Sequence, residues 1–296
     1  MKSGYVSIVG RPNVGKSTLL NNILEMHLAI TSDKKGTTRN IIEGVYEDND
    51  SQIVFVDTPG INKPSDKLSS LLNKKAFLMV ENVDLRLFVI DANKGFNNGD
   101  LVVLDKLKEE DVPTILILNK VDKVNKDNLL NIISECSKLY EFVEIYPLSA
   151  LKDNMNDLIK TIKKYLSNPG KIYEDDRITN VSTDFYISEI IREKVLKRTH
   201  EEVPHSVTCI VEDKKETKDK VVIKAMIVVE RESHKKIVVG HSASMLKSIG
   251  IDARHDLEEY FNKKVYLELF VKVIENWKEK DRYLKELGID DLDKFE

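Results

Sequence analysis

Gly10-Arg11-Pro12-Asn13-Val14-Gly15-Lys16-Ser17 follows a short apolar run at residues 6–9 and opens a segment with helical spacing at 16–26. A G-x-x-x-x-G-K-S pattern between a strand and a helix is a phosphate cradle. Its glycines let backbone N–H groups close around phosphate oxygens, and the helix N-terminus adds a favourable dipole. Gly10, Asn13, Val14, Gly15 and Thr18 are read as positions around the phosphates. Lys16 is the cation that reaches the β- and γ-phosphates, and the Ser17 hydroxyl is a Mg²⁺ ligand.

Outward from this loop, residues 1–167 alternate apolar runs with helical patterns. The runs at 6–9, 53–56, 85–90, 114–118 and 143–145 are rich in Val, Ile, Leu and Phe, as buried parallel strands are. Helical spacing occupies 16–26, 98–108, 127–139 and 154–166. This alternation predicts an open α/β sheet, mostly parallel, with helices on both faces. Residues 41–46 add an edge strand after a flexible loop.

Three further motifs sit at strand ends. Asp57-Thr58-Pro59-Gly60 follows the run at 53–56. Asp57 is placed to hold Mg²⁺ through a water, and the Gly60 N–H to sense a γ-phosphate, with Thr58 counted in the same site. Asn119-Lys120-Val121-Asp122 closes the run at 114–118. A carboxylate at Asp122 accepts from the N1–H and 2-amino group of guanine, donors that adenine lacks, so the nucleotide is GTP or GDP. Ser149-Ala150 is a loop able to offer a backbone N–H to the guanine carbonyl. In Gly36-Thr37-Thr38-Arg39, Thr38 is favoured over Thr37 to complete the Mg²⁺ shell. Lys16, Thr38 and Gly60 therefore carry the catalytic assignment. The residue after Gly60 is Ile61, where Ras-like enzymes place a water-orienting glutamine, so slow hydrolysis is expected.

The chain of 296 residues suggests two domains. With 41% hydrophobic and 32% charged residues it reads as a soluble globular protein. A net charge of −4 gives no overall case for nucleic acid, so any RNA contact is local and DNA is not expected. Cys136 and Cys209 lack metal-ligand spacing and read as reduced structural thiols, with no zinc. No run of 18 apolar residues occurs, and the early strand-like run at 5–9 leaves no room for a signal peptide.

Asn168-Pro169-Gly170 ends the last helical pattern of the first half, and 168–180 reads as a linker. Residues 181–275 then form a small α+β domain. Its pattern is a helix at 184–199, strands at 206–211 and 221–230 around a charged turn, a strand-like run at 237–239, a helix near 244–261 and a strand at 265–273. Residues 276–296 are a charged helix or tail.

GRPNVGKSTLLN at 10–21, TTR at 37–39, DTPGI at 57–61 and NKVD at 119–122 resemble the translation-associated bacterial GTPases. Residues 188–194, 203–207, 229–232 and 246–251 narrow the resemblance to the Era family. That resemblance implies a G domain followed by a type II KH domain that binds the 3′ end of 16S ribosomal RNA and assists 30S assembly. It also implies a cytoplasmic protein with peripheral association at the inner face of the membrane. The matching KH loop is Gly240-His241-Ser242-Ala243, where Ala243 replaces the second glycine and Ser242 a frequent lysine. Alanine there is expected to suit a helix-start conformation. Lys235, Lys236, Lys247 and Arg254 flank the loop, as RNA-contacting cations or as a solvated face. The basic residues Arg192, Lys194, Lys197 and Arg198 of the preceding helix read as a solvated surface. The alternative is a nucleotide-dependent binding protein with a weakened KH loop, acting through protein or membrane contacts.

Overall fold

Apolar runs of this length form parallel strands when helices cover both faces of their sheet. The protein is seen as a computed structural model that describes residues 1–289 apart from Lys35 and Asn62. It divides into two compact units, one formed by Met1–Ala29 and Thr38–Asn180, the other by Ile30–Thr37 and the described residues from Val181 onward.

The first unit runs β1 (Lys2–Val9), α1 (Lys16–Leu24), β2 (Ile42–Glu47), β3 (Ser51–Asp57), α2 (Lys67–Glu81), β4 (Leu85–Asp91), α3 (Asn98–Leu107), β5 (Thr114–Asn119), α4 (Lys126–Cys136), β6 (Glu144–Leu148), α5 (Asn156–Ile162) and β7 (Asn168–Pro169). Its sheet has the order β2-β3-β1-β4-β5-β6, with β7 against the start of β1. All pairings are parallel except those of β2 and β7. Val6, Ile8, Phe55, Phe88 and Ile117 are fully buried, as a sheet covered on both faces requires. The register brings the motif-bearing strand ends level. Ile8 of β1 pairs with Asp57 of β3, and Asn119 of β5 pairs with Asp91 of β4 and Leu148 of β6. Ligands bind open α/β sheets beyond such carboxyl ends.

Sequence reading assigns no element to α2. Its start is nevertheless marked locally, since the Asp66 side chain accepts from the Ser69 N–H in a reciprocal capping box.

The second unit runs α6 (Thr183–Arg198), α7 (Val203–Ser206), β8 (Thr208–Glu216), β9 (Lys220–Val229), α8 (Glu232–Val239), α9 (Ser244–Phe261), β10 (Lys264–Val273) and α10 (Asp281–Glu286). Its three-stranded sheet has the order β10-β9-β8, with β9 parallel to β10 and antiparallel to β8. Ile187, Ile190 and Ile191 of α6 and Ile249, Ala253 and Leu257 of α9 pack on the inward residues of these strands. Two expectations change here. The charged residues 212–216 continue β8, so the expected turn narrows to 217–219. The run at 237–239 is the end of helix α8, not a strand. Burial of His234 and Val238, one helical turn apart, outweighs the β propensity of Ile237, Val238 and Val239. The His234 Nδ1 and Ser206 Oγ atoms, 2.8 Å apart, anchor that face.

The expected charged tail at 276–296 lies outside the described residues from 290 onward. Before that point Trp277 is buried, and its Nε1–H donates to the Ser206 carbonyl at 2.8 Å. Among the described residues no helix is long and apolar enough to cross a membrane. Cys136 and Cys209 are buried free thiols, and burial pushes the Cys136 thiol up to about 11.

Candidate nucleotide and RNA sites

The loop between β1 and α1 turns at Gly15, whose φ of 103° is costly for an L side chain. A Cβ on Gly15 would also lie 2.1 Å from Asn119 Nδ2. That close approach is used. Asn119 donates from Nδ2 to the Val14 carbonyl at 2.8 Å, while its Oδ1 accepts from the N–H groups of Lys120 and Ala150 at 2.7 and 2.9 Å. Lys120 donates from Nζ to the Asn13 carbonyl at 2.7 Å and pairs with Asp91 at 2.7 Å. Asn119 and Lys120 thus brace the phosphate loop from the end of β5. A second brace comes from α3, where Arg11 Nε donates to the fully buried Asp100 carboxylate at 2.7 Å.

Lys16 is buried, and its Nζ donates to the carbonyls of Gly10 and Arg11, both at 3.1 Å. Burial pulls this ammonium down to about 8, with the Asp57 charge opposing. Ser17 donates to Asp57 Oδ2 at 2.6 Å and lies 2.9 Å from Thr38 Oγ1. The Thr37 hydroxyl instead donates to the Lys34 carbonyl at 2.7 Å. Asp57 is fully buried, and its Oδ1 has no hydrogen-bond partner among the described residues. Burial pushes the carboxyl up to about 6 while Lys16 and Ser17 oppose the shift. Two hydroxyls and one carboxylate, whose Oδ1 is buried and orphaned, form the hard-oxygen donor set that a magnesium ion takes.

Thr58 is fully buried and its hydroxyl donates to the Ile8 carbonyl at 3.0 Å, which ties β3 to β1. The backbone of Gly60 lies on Pro12, where a Cβ would come within 2.6 Å of the Pro12 nitrogen. Asp122 is partly exposed and pairs with Lys152 at 3.1 Å. Lys152, then Ser149, hold its carboxyl below the usual range, so it stays an ionised acceptor. Thr18 lines a hollow with Ala150, Leu151 and Lys152.

In the second unit, Gly240, Ser242 and Ala243 all have positive φ, of 73°, 49° and 60°. Ala243 is the N-cap of α9 in the left-handed region, contrary to the expectation that alanine there suits a helix start. His241, Lys236 and Lys247 are exposed around this loop. A groove next to it is lined by Ala243, Leu246, Lys247 and Arg254 from one side and Lys264 and Tyr266 from the other.

Comparison with known proteins agrees with both halves of this arrangement. The profile of the 50S ribosome-binding GTPase family matches residues 5–120, and that of the KH domain matches 202–278. GTPase Era of Clostridium kluyveri is 44% identical over 290 residues, which cover 97% of this chain and 99% of that protein. The chain belongs to the Era GTPase family. Among solved structures, Era in complex with MgGDPNP and nucleotides 1506–1542 of 16S ribosomal RNA matches with a TM-score of 0.94 and 40% identity, covering 98% of this chain and 99% of that one. A variant of Aquifex aeolicus Era bound to GDP·AlF4⁻ matches with a TM-score of 0.93 and 40% identity over the same shares.

Membership in the Era family makes the chain a GTPase with a G domain and a KH domain, as its motifs imply. Two finer expectations change. Ser149 and Ala150 do not hold free N–H groups for a base carbonyl, because Ser149 N–H donates to Asp153 at 2.7 Å and Ala150 N–H to Asn119. Ile61 is buried in an apolar cluster with Val9, Ala76 and Phe88. The basic face of α6 is not a solvated surface either. Arg192 is fully buried on Glu189 and the Thr37 carbonyl, Lys194 pairs with Glu193 and Asp256, and Arg198 pairs with Asp252. Sequence reading missed Arg11 and Asp100. Their signal was present in the arginine inside the phosphate loop and in the acidic residue of an Asn97–Asp100 capping box.

Proposed function

We propose that this GTPase binds GTP in the cradle of residues 10–17, hydrolyses it slowly, and binds the 3′ end of 16S ribosomal RNA through its second unit during 30S assembly. The observation that carries the nucleotide half is the cluster of Ser17, Thr38 and Asp57 around an unpartnered buried carboxylate oxygen. The RNA half is supported by likeness over nearly the whole chain to an Era crystallised with that RNA segment.

Ser17, Thr38 and Asp57 would hold Mg²⁺, which supplies charge neutralisation at the phosphate oxygens when bound. Lys16 would add a positive charge to the same phosphates, and the Gly60 N–H would donate to the γ-phosphate. Gly10, Asn13, Val14, Gly15 and Thr18 form the walls of the cradle. Asn119 and Lys120 hold its shape, and Asp122 selects guanine. Gly240, His241, Lys236 and Lys247 contribute to the RNA surface. Because Ile61 is sequestered in the core, the attacking water is placed by other groups and intrinsic turnover falls far below the ~1–100 s⁻¹ of kinases.

RNA crosslinked to the protein in assembling 30S particles, read by sequencing, tests the assignment; crosslinks scattered away from the 16S 3′ end would overturn it. RNA affinity in GDP and in a non-hydrolysable GTP analogue, at one salt concentration, tests the switch. Equal affinities would remove it. The same reading places the action of the protein in the cytoplasm. Co-sedimentation with phosphatidylglycerol vesicles tests the peripheral membrane association that the family resemblance carries.

A further inference from the structure

The groove beside the Gly240–Ala243 loop opens past β10 onto the outer face of the three-stranded sheet. Strand alternation decides which side chains stand there. Val265, Leu267 and Leu269 turn inward to the core, so Tyr266 turns outward and is 60% exposed. Its cross-strand partner on β9 is Val222, itself 40% exposed. Two residues earlier on the same face Lys264 is paired in register with Lys220, and Lys220 Nζ lies 5.6 Å from the centroid of the Tyr266 ring. Neither Lys220 nor Lys264 has an ion-pair partner among the described residues. Further along, Phe270 and Lys224 repeat the pairing at 5.5 Å, although Lys224 also lies 3.8 Å from Glu212. Glu268 is the exposed acid between the two rings, and Glu258 at the groove wall is occupied by the Val265 N–H.

An exposed ring flanked by unpaired ammonium groups, continuous with a groove that carries Lys247 and Arg254, suits a polyanion with flat bases. We propose that Tyr266 is a base-stacking residue for single-stranded RNA that leaves the groove over β10, with Lys220 and Lys264 taking the adjoining phosphates. The loop clamps about four nucleotides; Tyr266 extends the footprint beyond them. This proposal rests on the RNA-binding reading above and adds a second contact region to it. It also compensates for the loop, where alanine and serine replace a glycine and a lysine.

The test uses the full chain and nested single-stranded RNAs taken from the 1506–1542 segment, trimmed stepwise to about four nucleotides. Tyr266→Ala is expected to weaken the longer RNAs by about 5- to 150-fold, the loss of one stacked base. Tyr266→Phe keeps the ring and binds like the wild type, and the shortest bound RNA does not distinguish the three proteins. An abasic nucleotide at the stacked position weakens wild-type binding and has no further effect on Tyr266→Ala. Lys220→Ala and Lys264→Ala each lower the salt slope for the longer RNAs by about one unit. Unchanged thermal melts and far-UV circular dichroism show that the variants fold. Equal binding of every length by wild type and Tyr266→Ala, or an equal loss at every length, overturns the stacking role. Failure of the wild type to bind any of the RNAs overturns the RNA-binding reading itself.

Discussion

The Ser17 hydroxyl lies 2.6 Å from Asp57 Oδ2, which joins the start of α1 to the end of β3. Thr38 Oγ1 stands 2.9 Å from the same hydroxyl, so three oxygen-bearing side chains from separate segments converge beside Lys16. Nothing else in the first unit gathers hard donors around an orphaned buried oxygen in this way among the described residues. Asp57→Asn keeps the shape and removes the charge. It is expected to lower Mg²⁺ affinity of the nucleotide complex by about 10–100-fold. Titration of GTP binding with Mg²⁺ measures this, and an unchanged midpoint would place the ion elsewhere.

Ile61→Gln is expected not to restore a fast GTPase. The side chain at this position is packed against Val9, Ala76 and Phe88, away from solvent. An amide carried into that cluster costs about 1–3 kcal/mol of stability. A lower Tm with unchanged single-turnover hydrolysis is the expected pair of results. A faster enzyme would mean that the loop after Gly60 turns this side chain out of the core.

In the proposed site Asp122 would select the base, and Lys152 holds its carboxylate in the ionised form. Asp122→Asn replaces two acceptors with one acceptor and one donor. Guanine then meets a donor opposite its 2-amino group, whereas xanthine presents a carbonyl there. GTP affinity should fall by up to about 10⁴-fold while xanthosine triphosphate gains. Competition binding with the two nucleotides checks the exchange. Because the carboxyl pKa is depressed, wild-type GTP affinity should not fall through this group between neutral pH and pH ~5.

In the Gly240–Ala243 loop, Ala243 adopts a φ of 60°, a conformation that glycine takes without cost. Ala243→Gly relieves about 1–2 kcal/mol of backbone strain and gives back about 0.4–1 kcal/mol to the unfolded chain. Stability therefore rises by about 0–1.6 kcal/mol, while close approach of an RNA backbone becomes easier and affinity rises. Ala243→Val has no such relief and is expected to lose stability. Thermal melts and RNA titrations on both variants separate the two effects.

Much of the site was legible because its motifs are local. The phosphate loop needs a strand, a Gly-rich turn and a helix start in immediate succession, and residues 6–17 contain all three. DTPG and NKVD are likewise short segments at strand ends, so their order along the chain already indicated one edge of one sheet. What was not legible depended on long-range neighbours. The 237–239 run joined helix α8 because His234 finds Ser206 across the unit. The arginine and lysines of α6 resembled a solvated face until α9 and Glu193 supplied acidic partners. Charge patterning alone cannot tell a paired buried cation from a free exposed one.

By itself, then, the sequence determined a guanine-nucleotide loop, a mostly parallel α/β domain and a second domain of KH type, since each follows from chemistry within a few residues. Only the tertiary structure decided which of the motif atoms are free. It turned Asn119 and Lys120 into braces of the phosphate loop, spent the N–H groups of Ser149 and Ala150, and buried Ile61. The physical reason is that every buried polar group must find a partner, and that partner is set by packing between distant segments.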